Sequence, residues 1–324
     1  MAGLTDIPGI RVGHATDRKG LTGCTVILCG EGAVGGVDAR GSATGGEEID
    51  TLSPGHITDR VHAIVLAGGS AFGLEAASGV RRYLEAQGIG YPTRAARVPI
   101  VPAAILYDLG IGDAKARPSR EMGEAAAKAA YAGSVEEGAV GAGTGATVGK
   151  LLGMLQAMKS GLGTATVRLS GGYDGVLVSA LVAVNAVGDV RDPATGRIVA
   201  GARRNADSLE FADGEAMLKQ GLRAARADAG LRENTTLAVV ATNARLSKQQ
   251  ATKLAQLAQL GMARTIYPVN LTTDGDTVFA LSLGAEQADV DTLGVAAAEA
   301  VSASILRAVR LAPTLGGLPG LAAR

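Results

Sequence analysis

The chain has 324 residues, of which 47% are hydrophobic, with 31 basic and 31 acidic side chains. That length supports one large domain or two ordinary ones with a sizeable core, and the cancelled charge argues against a nucleic acid or an anionic membrane as partner. The 47 glycines are about twice the usual share; without a triplet period, they mark turns and close backbone approaches.

The first residues carry no basic stretch followed by an apolar one, and no uninterrupted apolar run approaches ~18 residues. The expectation is a cytoplasmic chain with no membrane span. Short strands joined by glycine-rich turns are expected over Ile10–Ala15, Cys24–Cys29 and Val34–Asp38. Cys24 and Cys29 have the spacing of neither a metal site nor a disulfide framework, and read as reduced core residues. A polar loop, Gly41–Glu48, precedes Ala63-Ile64-Val65-Leu66-Ala67, an apolar run of strand length. That run passes through Gly68-Gly69-Ser70-Ala71-Phe72-Gly73 into a helix carrying Leu74, Ala77, Val80, Arg81 and Leu84.

Val98–Tyr107 reads as extended, because Pro99 and Pro102 oppose a helix. Pro118-Ser119 opens an alanine-rich helix that Gly133 ends. Extended segments are expected over Ala139–Val148, Leu162–Leu169 and Val176–Val187, with a turn at Pro193-Ala194-Thr195-Gly196. Ser208–Ala229 reads as a helix broken near Gly214. After a strand opening at Thr235, Ser247-Lys248-Gln249-Gln250 has the capping-box pattern and starts a helix with Leu254, Leu257, Ala258 and Gly261 on one face. Val278–Leu283 is a strand, and Val290–Val309 the last helix, striped by Leu293, Ala297, Val301 and Ile305. Strands and helices alternate in groups rather than one by one. This is the α/β pattern of layered sheets covered by helices, an α+β layering rather than a doubly wound parallel sheet. No internal repeat or dividing linker is visible, so a single integrated domain over residues 1–324 is expected.

Several motifs have plainer readings. Gly69-Ser70-Ala71-Phe72-Gly73 is close to a nucleophile elbow, but Phe72 stands where the last glycine of Gly-x-Ser-x-Gly belongs and no histidine follows Ser70. The run from Gly141 to Lys150 approaches a phosphate loop, yet Thr144 and Leu151 replace the required glycine and hydroxyl. Close packing near a buried site is its default reading. Asp274-Gly275-Asp276 alone is a turn, since Phe279 and Ala280 follow where calcium ligands would be needed. Asn234-Thr235-Thr236 and Asn270-Leu271-Thr272 are sequons without a secretory route. Lys159 sits at the mouth of a strand, where most lysines are solvated. Asn185 lies inside an apolar run; a buried amide without partners costs ~1–3 kcal/mol, so it either ties two strands together or points into a site.

The three histidines, His14, His56 and His62, all fall in the first fifth of the chain. Chemistry in the last two thirds therefore needs another base. A threonine exposed at a new N-terminus supplies one, because its own α-amine can take the hydroxyl proton. Thr235, opening a strand, is the candidate, and the paired carboxylates of Asp274 and Asp276 lie on a tight turn downstream.

These features occur together with longer motifs. They include Leu4-Thr5-Asp6-Ile7-Pro8-Gly9-Ile10-Arg11-Val12-Gly13-His14 and Gly68-Gly69-Ser70-Ala71-Phe72-Gly73-Leu74 near the start. Ala157-Met158-Lys159-Ser160-Gly161-Leu162-Gly163 and Val184-Asn185-Ala186-Val187-Gly188-Asp189 follow in the middle. Asn234-Thr235-Thr236 and Asp274-Gly275-Asp276-Thr277-Val278-Phe279-Ala280-Leu281 complete the set. Over nearly its whole length the chain resembles the P1 peptidase family. These are N-terminal-nucleophile amidohydrolases: L-aminopeptidase/D-amidase/esterases, β-aminopeptidases and nylon-oligomer endo-hydrolases. Threonine at 235 with Asp-Gly-Asp downstream looks most like the last group, which acts on 6-aminohexanoate oligomers.

The resemblance implies a four-layer αββα sandwich and a precursor that cuts itself between Asn234 and Thr235. The products would be an α chain, 1–234, and a β chain, 235–324, assembled as a homotetramer. It implies Thr235 as nucleophile, with Lys159 adjusting its amine. Asn185 and the Tyr107 hydroxyl would donate to the oxyanion, and Asp274 and Asp276 would orient the new ammonium and the threonine hydroxyl. The substrate would be a small amide or peptide, with no metal or organic cofactor. Two other readings stay open: an acyltransferase on the same fold, and an unprocessed binding protein.

Overall fold

The computed structural model describes residues 3–221 and 234–322. Its main strands are β1 (Arg11–Asp17), β2 (Thr22–Ala39), β3 (Gly46–Glu47), β4 (Val61–Ala67), β5 (Ala103–Ile105), β6 (Leu162–Arg168), β7 (Leu177–Asn185), β8 (Thr235–Ala244) and β9 (Thr277–Glu286). Its longer helices are α1 (Glu75–Ala86), α2 (Arg120–Ala129), α3 (Lys248–Thr265) and α4 (Val290–Arg310). The strands run in the order β6-β7-β8-β9-β2-β4-β5-β3, with β1 on β2.

The two short strands expected over Cys24–Cys29 and Val34–Asp38 are one long strand, β2. Its register against β4 shifts between Leu28 and Ala33, where Gly30 and Gly32 take φ of 58° and 115°. Glycine tolerates these left-handed values, and the resulting bulge bends the strand. The half of β2 before the bend pairs with β1 and β4, and the half after it with β9. A single chain segment thereby belongs to two sheets.

Alternate side chains then define the layers. Val26, Leu28, Ala63 and Val65 face Ala76, Val80, Leu84 and Ala126 of α1 and α2. Ile27, Ile64 and Leu66 meet Leu181, Leu237, Val239 and Phe279 between the sheets. Val182, Val240 and Val278 face Leu254, Met262, Leu293 and Val301 of α3 and α4. Helix, sheet, sheet, helix is the layered sandwich expected from the grouped elements. Sheets buried on both faces have near-continuous apolar strands, as in β4 and β7. The layers also approach closely: a Cβ at Gly36 of β2 would lie 2.3 Å from the Ala251 carbonyl carbon on α3. By length and composition α4 could cross a membrane, but its Leu293, Ala297, Val301 and Ile305 are core residues.

Local signals held where they were strongest. Ser247 and Gln250 make the capping box, and Ser119 caps α2. Two expectations are corrected. In Ala139–Val148 only Thr147–Val148 is a strand; Gly141–Gly143 is a 3-10 turn whose Gly141 and Ala142 N–H groups donate to the Thr16 and Thr25 hydroxyls. Of the helix expected over Ser208–Ala229, Gly214–Lys219 is helical, while Ser208–Asp213 folds back against Ala202 and Arg204. Residues 222–229 lie outside the described residues.

Candidate active site

The strand directions build the site. β8 and β9 run parallel, so both begin at the same edge of the sheet, while β7 runs antiparallel to β8 and ends there. Thr235 at the start of β8 thus pairs with Asn185 at the end of β7. The Asp274-Gly275-Asp276 turn enters β9 on the other side, with Asn234 bridged to Asp274.

The Asn234–Thr235 peptide is held from two directions. The Asn234 carbonyl oxygen accepts the Gly275 N–H at 2.8 Å and the Thr235 hydroxyl at 2.7 Å. Position 275 has no room for a side chain, because a Cβ there would sit 2.5 Å from Thr235 Oγ1. The turn is itself fixed by the segment after β2: Ala43 N–H donates to the Asp274 carbonyl at 2.9 Å and Arg40 N–H to the Asp276 carbonyl at 3.1 Å.

Both carboxylates are 2% exposed. Asp276 accepts the N–H groups of Thr236 (2.6 Å) and Asn270 (3.0 Å). Asp274 Oδ2 accepts the Leu271 N–H at 2.9 Å, whereas its buried Oδ1 has no hydrogen-bond partner among the described residues. Burial raises both pKa values above the usual carboxylate range, since the charged form loses its water. The Asp274 charge raises Asp276 further, while the nearby Lys150 ammonium opposes the rise at Asp274.

Asn185 is fully buried and its amide has one orientation. Its Oδ1 accepts from Lys150 Nζ (2.9 Å), Thr147 N–H (3.1 Å) and the Thr147 hydroxyl (3.3 Å). Its Nδ2 donates to the Tyr107 carbonyl at 2.9 Å. Lys150 also donates to the Asn185 carbonyl at 3.0 Å. The residue therefore ties several segments together at the edge where Thr235 begins.

The structure brings together Asn234, Thr235, Asn185, Asp274 and Asp276, and adds Tyr107 through its main-chain carbonyl. Lys159, expected to adjust the Thr235 amine, has its ammonium donating to the Ala146 (2.7 Å), Gly143 (3.2 Å) and Ser160 carbonyls. Burial lowers its pKa from 10.5 to about 7, and the charge of Asp108 works against that drop. The lysine bonded to Asn185 is Lys150, at the end of the glycine-rich run that superficially matched a phosphate loop. Its only sequence signal was that clustering of glycines, which marks a buried turn; Gly149 has φ 71° and Lys150 is 9% exposed. Asp108, accepting the Thr22 hydroxyl (2.7 Å) and the Gly69 N–H (2.6 Å), was also missed. A carboxylate directly after Tyr107, at the end of an apolar run, was its signal.

The chain as a whole is similar to known proteins. A model of peptidase family S58 matches residues 2–322. An uncharacterized aminopeptidase of Mycobacterium leprae (strain TN) is 39% identical over 98% of this chain and 93% of its own length. A 6-aminohexanoate-oligomer endohydrolase of Kocuria sp. (strain KY2) is 35% identical over 86% of this chain and 74% of its own. Among solved structures, the L-aminopeptidase D-Ala-esterase/amidase of Ochrobactrum anthropi, a variant of the Ntn hydrolase fold, matches with a TM-score of 0.74 at 20% identity. That match covers 98% of this chain and 88% of the other, and shows the shared fold.

Proposed function

The chain belongs to peptidase family S58 and is an amide hydrolase; from that premise we propose that it cuts itself between Asn234 and Thr235 and then works through the freed threonine. The observation carrying this reading is the Thr235 hydroxyl, 2.7 Å from the oxygen of the carbonyl it must attack. For attack, Oγ1 swings from that oxygen toward the carbonyl carbon. The new C–O bond pushes the π pair onto the Asn234 oxygen; the C–N bond then breaks, and the hydroxyl proton ends on the Thr235 nitrogen. Water hydrolyses the resulting ester, releasing the Asn234 carboxylate and restoring the hydroxyl. The products are 1–234 and 235–324.

In the cut enzyme the Thr235 α-amine is the base for its own hydroxyl. The open Oδ1 of Asp274, beside the scissile peptide, supports a role in receiving the new ammonium. Asp276 holds the Thr236 N–H and so fixes the strand start. Asn185 presents its amide at the edge where Thr235 begins, with Nδ2 donating to the Tyr107 carbonyl. We assign the Asn185 amide and the Tyr107 hydroxyl to the substrate oxyanion, with Lys150 fixing the amide.

Substrates are linear amides with small or flexible aliphatic groups, 6-aminohexanoate oligomers among them; the 35% identity to an endohydrolase of that name supports this choice. An aminopeptidase activity is the second reading, favoured by the mycobacterial relative. Acetylating the substrate amine separates the two: an endohydrolase still cuts a capped oligomer, and an aminopeptidase does not. The working unit would be a cytoplasmic homotetramer of cut chains.

Intact mass on freshly purified protein, beside Thr235→Ala, tests the central claim. Two fragments meeting at 234/235, absent from the variant, are expected. A chain that stays whole under all conditions, or a variant that is still cut there, overturns it.

A further inference from the structure

We propose that the main-chain N–H of Gly275 is an additional oxyanion donor in both reactions of Thr235. It holds the Asn234 carbonyl oxygen during self-cleavage and the substrate acyl oxygen afterwards. The inference rests on Thr235 as nucleophile and adds a group to its machinery. In the intact chain this N–H already lies 2.8 Å from the oxygen that takes up charge. The bond belongs to the bridge between Asn234 and Asp274, so strand pairing rather than a mobile side chain sets its direction. The carbonyls on either side of the Gly275 peptide unit's turn, those of Asp274 and Asp276, are bound by Ala43 and Arg40 N–H groups. A donor fixed in this way needs no reorganisation as charge develops, which is the property that makes such donors effective.

The absence of a side chain serves the same purpose. A Cβ at 275 would come 2.5 Å from Thr235 Oγ1 and 2.8 Å from the Ala43 carbonyl oxygen. The nucleophile and the donor must therefore be neighbours across a glycine. One hydroxyl attacks twice, first the Asn234 carbonyl and then that of the substrate. On this proposal the second carbonyl approaches that oxygen from the same side, with its own oxygen in the place Asn234 has left. Attack forms the Oγ–C bond and moves the π pair to the acyl oxygen, where the Gly275 N–H receives it. Collapse of the intermediate breaks the C–N bond, and the leaving nitrogen takes the proton held by the Thr235 amine. Before the cut, Asn234 occupies the donor, so the intact chain blocks its own substrate position.

The test replaces Gly275 by glycolic acid in the full chain, exchanging the N–H for an ester oxygen without adding a side chain. Self-cleavage and kcat are both expected to fall ~10²- to 10³-fold, with KM little changed. Rates within threefold of the parent would overturn the proposal. A second measurement needs no variant: the Gly275 amide proton is followed by NMR in the cut enzyme while hexylboronic acid forms its tetrahedral adduct on Thr235. A downfield shift is expected, and an unmoved signal in the boronated enzyme sinks the idea. Failure of the parent chain to cut would instead fail the Thr235 reading itself.

Discussion

Lys150 and Lys159 lie on either side of one turn-rich segment, both buried, and both donate to main-chain carbonyls. Their acceptors separate them. Lys150 reaches the amide oxygen of Asn185, and its charge reaches Asp274, so it acts on the edge where Thr235 begins. The bonds of Lys159 end on Gly143, Ala146 and Ser160, with Asp108 as the charge influencing it. It clamps the turn that leads to Thr147, whose N–H in turn holds Asn185. Burial and a displaced pKa mark a functional lysine in many sites. Here the lysine with the large shift touches carbonyls of the turn and not Asn185, and what each ammonium touches separates the two.

Removing the two ammonium groups one at a time breaks or sharpens the contrast. Lys150→Met takes a charged donor from Asn185 Oδ1 and leaves that oxygen to the weaker, neutral donors of Thr147. A hydrogen bond to a charged group contributes ~1.5–3 kcal/mol, which corresponds to roughly 10- to 100-fold in rate. Both the self-cleavage half-time and turnover of a linear 6-aminohexanoate oligomer should show that loss, with the urea midpoint changing much less. A variant that cuts itself and turns over within threefold of the parent would erase the distinction drawn for Lys150.

Lys159→Met should reverse the pattern. The Ser160 carbonyl loses its ammonium donor, while Gly143 keeps the N–H of Ala146 and Ala146 keeps the N–H of Ser160. Unsatisfied buried acceptors cost ~1–3 kcal/mol, partly offset by no longer burying an ammonium. A lowered urea midpoint is expected, with rates within about fivefold once folded protein is compared at equal concentration. A rate loss larger than that of Lys150→Met, at unchanged stability, would return Lys159 to the chemistry.

The contrast also shows where sequence stopped being informative. The layers were legible because apolar runs such as 63–67 and 176–187 have strand length and alternate with helices striped at 3.6-residue spacing. Thr235 and the Asp274–Asp276 turn were legible because both sit at strand starts within long motifs. Their meeting was not: it depends on β8 and β9 pairing in parallel, and no local pattern encodes a partner strand. Gly30 and Gly32 read as a break between strands because the same glycine preference serves a turn and a bulge. That Lys150 and not Lys159 bonds Asn185 has a similar origin. The Gly141–Gly143 turn is fixed by hydroxyls of Thr16 and Thr25 from distant strands, and that turn directs the course of the chain through both lysines.

The remaining expected effect is the pH dependence of the Lys159 contribution, and its sign follows from burial. The folded pKa is lowered from 10.5 to about 7, while an unfolded lysine keeps a value near ~10.4. Between those values the unfolded chain holds a proton that the folded chain has released, so stability rises with pH. The cost of burying the ammonium is fully present below pH ~7 and is relieved as pH climbs toward ~10.4. Lys159→Met lacks this relief, so the parent should gain stability relative to the variant on going from about pH 6.5 to pH 9. Urea midpoints for the pair at each pH cancel the other titrating groups. A difference that stays flat over the range would mean that the ammonium keeps its proton, with three carbonyls and Asp108 outweighing desolvation. Lys159 would then be a permanently charged clamp, and the contrast with Lys150 would rest on their acceptors alone.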